Sequence, residues 1–121
     1  MPAMPEYTGS RLVNRTTGQT VAARAFVAHG SWAQMVGLIG RRLDADEALG
    51  LPGCAAVHTA GMRFALDIAF CDAAGRVLQM NTAVLPWRVA ARRRAAMAWE
   101  TRAGILSSRV RPGDELALEK G

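Results

Sequence analysis

The segment that decides the fold is residues 54–80, CAAVHTAGMRFALDIAFCDAAGRVLQM. Large apolar side chains occupy every second position at its centre: Phe64, Leu66, Ile68 and Phe70. That period of two predicts a strand over residues 64–71 with one face in the core. The next four residues, Asp72-Ala-Ala-Gly75, are typical of a hairpin turn, because glycine adopts a positive φ at low cost. The segment therefore predicts antiparallel strands joined by a tight turn.

Strand-like runs continue on both sides of this segment. They cover residues 11–14, 19–24, 54–59, 76–80, 83–86, 95–100 and 115–119. Thr16-Thr17-Gly18 predicts a hairpin turn between the first two runs. Arg111-Pro-Gly-Asp114 predicts another turn before the last run. Because most of the connections are short, the strands are expected to pair antiparallel.

Helical signals are fewer. Residues 31–39 predict the main helix, since Ser31 and Gln34 form a capping pattern and apolar side chains repeat on one face. The same capping pattern at Asp44 and Glu47 predicts a short helical turn that ends at Gly50. One further helical turn is expected within residues 101–107.

These elements together predict a mostly β fold of the α+β kind. We expect a small curled antiparallel sheet or partial barrel of about seven strands, with one main helix and short helical turns. A chain of 121 residues fits one domain. Residues 11–119 are expected to form that domain, and residues 1–10, which lack periodicity, a loose tail.

The net charge of +5 is the main compositional signal for a partner, and it comes largely from arginine. The dense basic cluster is Arg88, Arg92, Arg93 and Arg94. Trp87 is the only aromatic residue beside it, and no nucleic-acid motif accompanies it. Nucleic-acid binding through residues 88–94 is therefore less favoured than a solvated basic loop.

Two missing signals, a secretory signal and a membrane helix, bear on where in the cell the protein is expected. The first residues contain no secretory signal, and no run reaches the roughly 18 apolar residues of a membrane helix. The sequence therefore predicts a cytoplasmic protein without membrane association. Two cysteines are too few for a disulfide framework, so Cys54 and Cys71 are expected to be buried thiols. A disulfide between them is geometrically possible if both lie in paired strands, but a cytoplasmic setting argues against it.

The candidate binding residues are polar or polarizable groups set among apolar runs: His58, Thr59, Met62, Asp67 and Glu100. Asp67 falls on the strand face opposite Phe70, where an unpaired charge would be very costly. His58 is a candidate general base, because histidine is the residue type whose side chain most readily changes charge near neutral pH.

Each candidate also has a structural alternative. His58 could be a hydrogen-bonded strand residue, and Asp67 could accept backbone N–H groups or pair with Arg63. Glu100 could cap the turn after its strand, and Thr59 could bind turn backbone. The large side chains Met62 and Trp87 are predicted to lie in the core.

The spacing of Cys54 and His58 argues against two kinds of site. Four strand residues span about 13 Å, too far for His58 to activate the thiol or to share a metal ion with it. The sequence therefore predicts no metal and no cofactor.

The pattern Cys54-x-x-x-His58-Thr59-x-x-Met62-x-x-x-x-Asp67-x-x-Phe70 resembles the domain-of-unknown-function family 192, a group of small prokaryotic proteins. Supporting motifs occur in the family's order: Gly37-Leu38 with Arg41, Gly75-Arg76-Val77, Pro86-Trp87, Glu100 with Ala103-Gly104, and Gly113-Asp114. The resemblance covers roughly residues 12–118. It implies a compact β-rich fold with flanking helical turns, and no established activity or cofactor.

The favoured hypothesis for function is a non-enzymatic binding or accessory domain with a polar site near His58, Asp67 and Glu100. Its partner would be a small polar ligand or a protein, because no nucleophile–base pair, phosphate loop or metal spacing is present. The alternative is a small hydrolase or lyase that uses His58 with Asp67 or Glu100 as acid and base, which requires these groups to meet. Whether the chain is an enzyme stays open, as does a homodimer.

Overall fold

Nine strands and one short helix form in residues 5–28, 43–59 and 62–120, which the computed structural model describes. The strands are β1 (Glu6–Asn14), β2 (Thr20–Val27), β3 (Glu47–Pro52), β4 (Ala56–His58), β5 (Leu66–Cys71), β6 (Val77–Val84), β7 (Val89–Ala91), β8 (Met97–Arg102) and β9 (Leu116–Lys120), and the helix is α1 (Ile105–Arg109). The predicted main helix, residues 31–39, lies outside the described residues. Within those ranges no helix is long and apolar enough to cross a membrane.

Seven strands form one mixed sheet in the order β6-β5-β8-β3-β2-β1-β9, and β4 pairs with β7 in a separate ribbon. Neighbouring strands are antiparallel except β2 and β3, which are parallel. The edge strands β6 and β9 meet at one end. There the Val77 N–H donates to the Asp114 carbonyl and the Leu116 N–H to the Gly75 carbonyl, both at 2.8 Å. The sheet is a curled half-barrel, which confirms the predicted mostly β partial barrel; the parallel pair is the exception to the expected pairing.

The predicted hairpin turns are present. β1 and β2 pair antiparallel around residues 15–19. Between β5 and β6, the Asp72 N–H donates to the Arg76 carbonyl at 2.9 Å, and Gly75 has φ 90°. A Cβ at Gly75 would collide with the backbone oxygen of Leu116. Glycine is therefore required there both for its conformation and for space.

The two runs predicted between residues 76 and 86 form the single strand β6, interrupted by a bulge. The register pairs on either side of the bulge are Leu66 with Val84 and Ile68 with Asn81. β6 thus has one residue more than β5 between these pairs, as in a β-bulge. Ala83 lies in the bulge with φ 51°.

The short helical turn predicted from Asp44 to Gly50 is wrong, because this segment is a turn followed by β3. The capping contact itself forms, since the Asp44 N–H donates to Glu47 Oε1 at 2.8 Å. β3 then pairs with β2 on one side and β8 on the other. Ladder bonds on both sides and burial on both faces outweigh a local capping signal. α1 also begins at Ile105 rather than at residue 101, because β8 continues to Arg102.

The two faces of the large sheet bury two cores. The ribbon-side core includes side chains of β4 and β7: Ala28, Leu43, Leu49, Leu51, Val57, Met62, Leu66, Ile68, Phe70, Ala90 and Ala98. The helix-side core includes side chains of α1: Leu12, Val21, Ala22, Ala25, Ala48, Ala69, Cys71, Val77, Trp99, Leu106, Val110 and Leu116. On β5, even-numbered residues enter the first core and odd-numbered residues face the second, as the period of two predicts.

Candidate functional site

Asp67 is fully buried on the helix-side face of β5, and its carboxylate accepts three backbone hydrogen bonds. Oδ1 accepts from the N–H of Ala83 in the β6 bulge at 2.9 Å. Oδ2 accepts from Gly104 at 2.9 Å and from Ser107 at 2.8 Å, at the start of α1. A bulge N–H lacks a strand partner and the first N–H groups of a helix lack an intrahelical acceptor, so both places need such an acceptor.

These contacts give Asp67 a structural role. Its donors lie 16, 37 and 40 residues away along the chain, so one side chain joins β5, the bulge of β6 and the start of α1. The contacts match the structural alternative predicted for Asp67, in which its carboxylate accepts backbone N–H groups. Because both oxygens accept hydrogen bonds from donors inside the protein, the carboxylate stabilises the fold.

Glu100 is also buried, at 1% exposure, but its surroundings are apolar. On β8 it lies between Ile68 of β5 and Leu49 of β3, which both belong to the ribbon-side core. Neither carboxyl oxygen has a hydrogen-bond partner among the residues that the structure describes. Burial raises the pKa of Glu100 to about 8, so the group holds its proton at neutral pH.

Asp67 and Glu100 do not meet, because they lie on opposite faces of the sheet. Across β5 and β8, Asp67 pairs with Thr101, whereas Glu100 pairs with Ile68. Adjacent strand positions point to opposite faces. The structure therefore does not bring these two predicted site residues into one pocket.

His58 and Met62 differ in the side they face and in how deeply they are buried. Val57 enters the ribbon-side core, so the next residue, His58, faces away from that core. His58 is partly exposed and lies opposite Val89 in the ribbon. Met62 is 5% exposed within the ribbon-side core, which confirms its predicted core position. Met62 and Glu100 are thus on the same side of the large sheet.

Thr59 is fully buried and holds the turn between β6 and β7. Its hydroxyl donates to the Leu85 carbonyl at 2.7 Å and accepts from the Arg88 N–H at 2.8 Å. Its backbone carbonyl accepts from the Trp87 N–H at 3.1 Å, and its own N–H donates to the Arg88 carbonyl at 2.8 Å. The hydroxyl thus bridges the first and last residues of this four-residue turn, where a turn often forms its own hydrogen bond.

Both cysteines are free thiols with raised pKa values; Cys71 is buried as predicted, whereas Cys54 is only partly buried. Burial, followed by the negative charge of Glu100, raises the pKa of Cys54, whose side chain packs against the ribbon-side core. Burial, with a smaller effect of Asp72, raises the pKa of Cys71 to about 12. Neither thiol therefore has the lowered pKa of a catalytic nucleophile. Across the described ranges, no three His, Cys, Asp or Glu side chains gather as a metal site.

With this geometry established, comparison with known proteins assigns the family. The model of the domain-of-unknown-function family 192, described as "Uncharacterized ACR", matches residues 12–118. The chain belongs to DUF192. The match covers most of the chain and confirms the resemblance carried by the Cys54-to-Phe70 pattern. No functionally curated protein matches the chain significantly.

Two crystal structures show the same fold as this DUF192 chain. One is of a protein from Sinorhizobium meliloti 1021 described as "a putative transcription regulator", with TM-score 0.73, 19% identity, and coverage of 98% of this chain and 96% of that one. The other is a protein of unknown function from Novosphingobium aromaticivorans DSM 12444, with TM-score 0.68, 16% identity, and coverage of 95% and 84%. At these identities the likeness concerns the fold alone.

One large side chain of this DUF192 chain lies on the surface instead of in the core. The predicted core position of Trp87 is wrong, because its side chain is 71% exposed. The turn that carries it also contains Arg88, and the predicted basic loop includes the short strand β7. A signal was present in Pro86-Trp87, since proline before an exposed residue is typical of a turn rather than a core strand.

Proposed function

We propose that this DUF192 protein is a non-enzymatic binding domain that holds a small ligand against Glu100. The observation that carries the proposal is a fully buried carboxyl group with no hydrogen-bond partner in the described part of the chain. Leaving a buried polar group unsatisfied costs about 1–3 kcal/mol. A ligand group that hydrogen-bonds to Glu100 would offset that cost.

The surroundings of Glu100 support a particular class of ligand. A protonated carboxyl offers one donor together with acceptor capacity. Its cross-strand neighbours Leu49 and Ile68 belong to an apolar core that also contains Met62. A matching ligand has an apolar body and one amide, hydroxyl or carboxyl group, since pockets combine apolar walls with few polar contacts. Because Glu100 is 1% exposed, binding requires this face to open locally.

The predicted site residues have different roles in this binding site. Glu100 is the polar contact, and Met62 is a wall of the same core. Asp67 is left out because its oxygens hold backbone groups on the opposite face. His58 lies on the far face of the ribbon and would contact a ligand only at the rim.

A thermal-shift screen of small amides, alcohols and carboxylic acids at pH 7 tests the proposal. A ligand at a hundred times its Kd stabilises the folded state by about 2.7 kcal/mol, which is several degrees in Tm for a domain of this size. At least one compound should shift the wild type and not Glu100→Leu, while the partly exposed control Glu119→Leu keeps the shift. If no compound stabilises the wild type, or if Glu100→Leu responds equally, the ligand does not contact this carboxyl.

A small hydrolase or lyase is the second candidate, and one observation supports it. The pKa of Glu100, about 8, lies near the operating range of a general acid. With Asp67 engaged on the other face, the acid–base pair would have to be Glu100 with His58. Because His58 faces away from the core that buries Glu100, the two groups would meet only if the ribbon opened. Hydrolysis or elimination lost in both Glu100→Gln and His58→Gln would support this pair. Activity retained in Glu100→Gln would exclude it.

A further inference from the structure

The turn that joins β6 to β7, together with the first residue of β7, carries several exposed apolar side chains. Leu85 is 56% exposed, and Trp87 and Val89 are each 71% exposed. We call residues 85–89 the Trp87 turn. Among the described residues, Trp87 and Val89 are the most exposed of the large apolar side chains. Exposed apolar groups that occur together, rather than singly, mark interaction surfaces.

The Trp87 turn is held in place from inside the protein. Thr59 is fully buried, and its hydroxyl bridges the Leu85 carbonyl and the Arg88 N–H. Its backbone carbonyl accepts from the Trp87 N–H at 3.1 Å. Trp87 itself has φ 64°, a conformation that a bulky residue keeps only when its surroundings impose it. The indole is therefore kept on the surface by the fold.

Positive charge accompanies the exposed apolar groups. Arg88 lies within the Trp87 turn, and three more arginines, residues 92–94, follow β7 directly. All four are exposed, and none forms an ion pair within the described ranges. Together with Gln79 and Ala91, the three consecutive arginines line an open depression of about 440 Å³. If extended, the chain from Arg88 to Arg92 spans about 13 Å, so the charges cover a broad surface.

We propose that the Trp87 turn docks on an anionic lipid surface. Tryptophan favours the boundary between lipid headgroups and acyl chains, and the aliphatic side chains of Leu85 and Val89 gain free energy by entering the same layer. The arginines then face the phosphates of anionic lipids, whose surface potential attracts them. This is peripheral attachment of a folded domain, which needs no spanning helix.

The composition of the surface favours lipid over single-stranded nucleic acid. Binding to single strands relies on several aromatic side chains on which successive bases stack. The Trp87 turn has one aromatic side chain and two aliphatic ones, and an aliphatic side chain offers no stacking face. Apolar burial combined with phosphate contact is what a lipid surface provides.

Cosedimentation with vesicles tests the proposal on the full chain. The vesicles are phosphatidylcholine alone, or phosphatidylcholine with about a third phosphatidylglycerol. Wild type should sediment with the anionic vesicles and lose this binding at high salt. Arg92→Ser/Arg93→Ser should weaken the partition about 30-fold, because each arginine near an anionic surface contributes a factor of about 5. The control Arg15→Ser/Arg111→Ser makes the same change in net charge in other exposed turns and should weaken it less than about threefold.

The apolar contribution is tested separately. Trp87→Ala should weaken binding to anionic vesicles about tenfold, because a buried large apolar side chain is lost from the contact. Trp87→Phe should retain most of the binding. All four variants change exposed residues and should keep the wild-type urea midpoint. The proposal is overturned if wild type ignores anionic vesicles, if the two double variants bind equally, or if the protein binds a single-stranded oligonucleotide and not the vesicles.

Discussion

Replacing Glu100 with Gln should remove most of the pH dependence of stability between pH 4.5 and pH 8. In the folded state, burial raises the pKa of Glu100 to about 8, and its ordinary value is 4.5. Between these values the folded protein keeps the proton while the unfolded chain has released it. The unfolded state then binds fewer protons, so the stability of the wild type falls as pH rises.

The size of the effect follows from the two pKa values. Each pH unit in the window lowers the free energy of unfolding by about 1.4 kcal/mol, and the whole window by about 5 kcal/mol. The contribution of Glu100 is complete below pH 4.5 and is lost as pH rises through about 8. Glutamine does not titrate. The difference in stability, Glu100→Gln minus wild type, should therefore be level below pH 4.5 and rise by about 3 kcal/mol at pH 7.

Urea denaturation from pH 4 to pH 9, followed by tryptophan fluorescence, measures this difference directly. Glu119→Gln is the matched control, because the Glu119 side chain is 41% exposed and pairs with Arg11 at 3.3 Å. Its difference curve should stay within about 1 kcal/mol at every pH, as is typical of surface pairs. A Glu100→Gln curve as level as this control would refute the reasoning. It would mean that the Glu100 carboxylate is solvated or paired in the folded state.

Two further substitutions test the parts of the fold that position this site. Asp67→Asn should lower the free energy of unfolding by about 2–4 kcal/mol, because one of three buried N–H donors loses a charged acceptor and the others are weakened. The control is the partly exposed turn residue Asp72, which also accepts two backbone N–H bonds. Its Asn variant should lose less than about 1 kcal/mol. Equal losses in urea titrations would contradict the role given to burial. Gly75→Ala should cost at least about 3 kcal/mol, since the new Cβ meets the Leu116 carbonyl at a positive φ; a wild-type urea midpoint would show that the β6–β9 junction yields easily.

The period of two in the sequence was sufficient to predict β5 and its two faces. Leu66, Ile68 and Phe70 enter one core, while Asp67 faces the other. This prediction succeeds because alternation along a strand is a local property of the extended backbone. The tight turn ending at Gly75 was predictable for the same reason, since its conformation depends on the turn residues themselves.

Local signals failed where partners from distant segments decide the structure. Asp44 and Glu47 form the predicted capping contact, yet Glu47 begins a strand. β3 exists because β2 and β8 bind it on both sides, and neither is near it in sequence. The bulge in β6 is a second such case. It interrupts one strand, which the sequence pattern therefore presents as two separate runs. Its Ala83 N–H is held by a carboxylate 16 residues away.

The same distinction between local signals and tertiary contacts applies to the residues of the candidate site. The sequence by itself determined which residues are unusual, because a carboxylate within an apolar strand stands out by its chemistry alone. Asp67 and Glu100 were equivalent at that level. Only the tertiary structure separates them, since Asp67 meets three backbone donors and Glu100 meets none among the described residues. It likewise places Trp87 on the surface. Periodicity is a property of residues that are neighbours in the sequence. Hydrogen-bond satisfaction and exposure instead depend on strands and turns that only the folded sheet brings together.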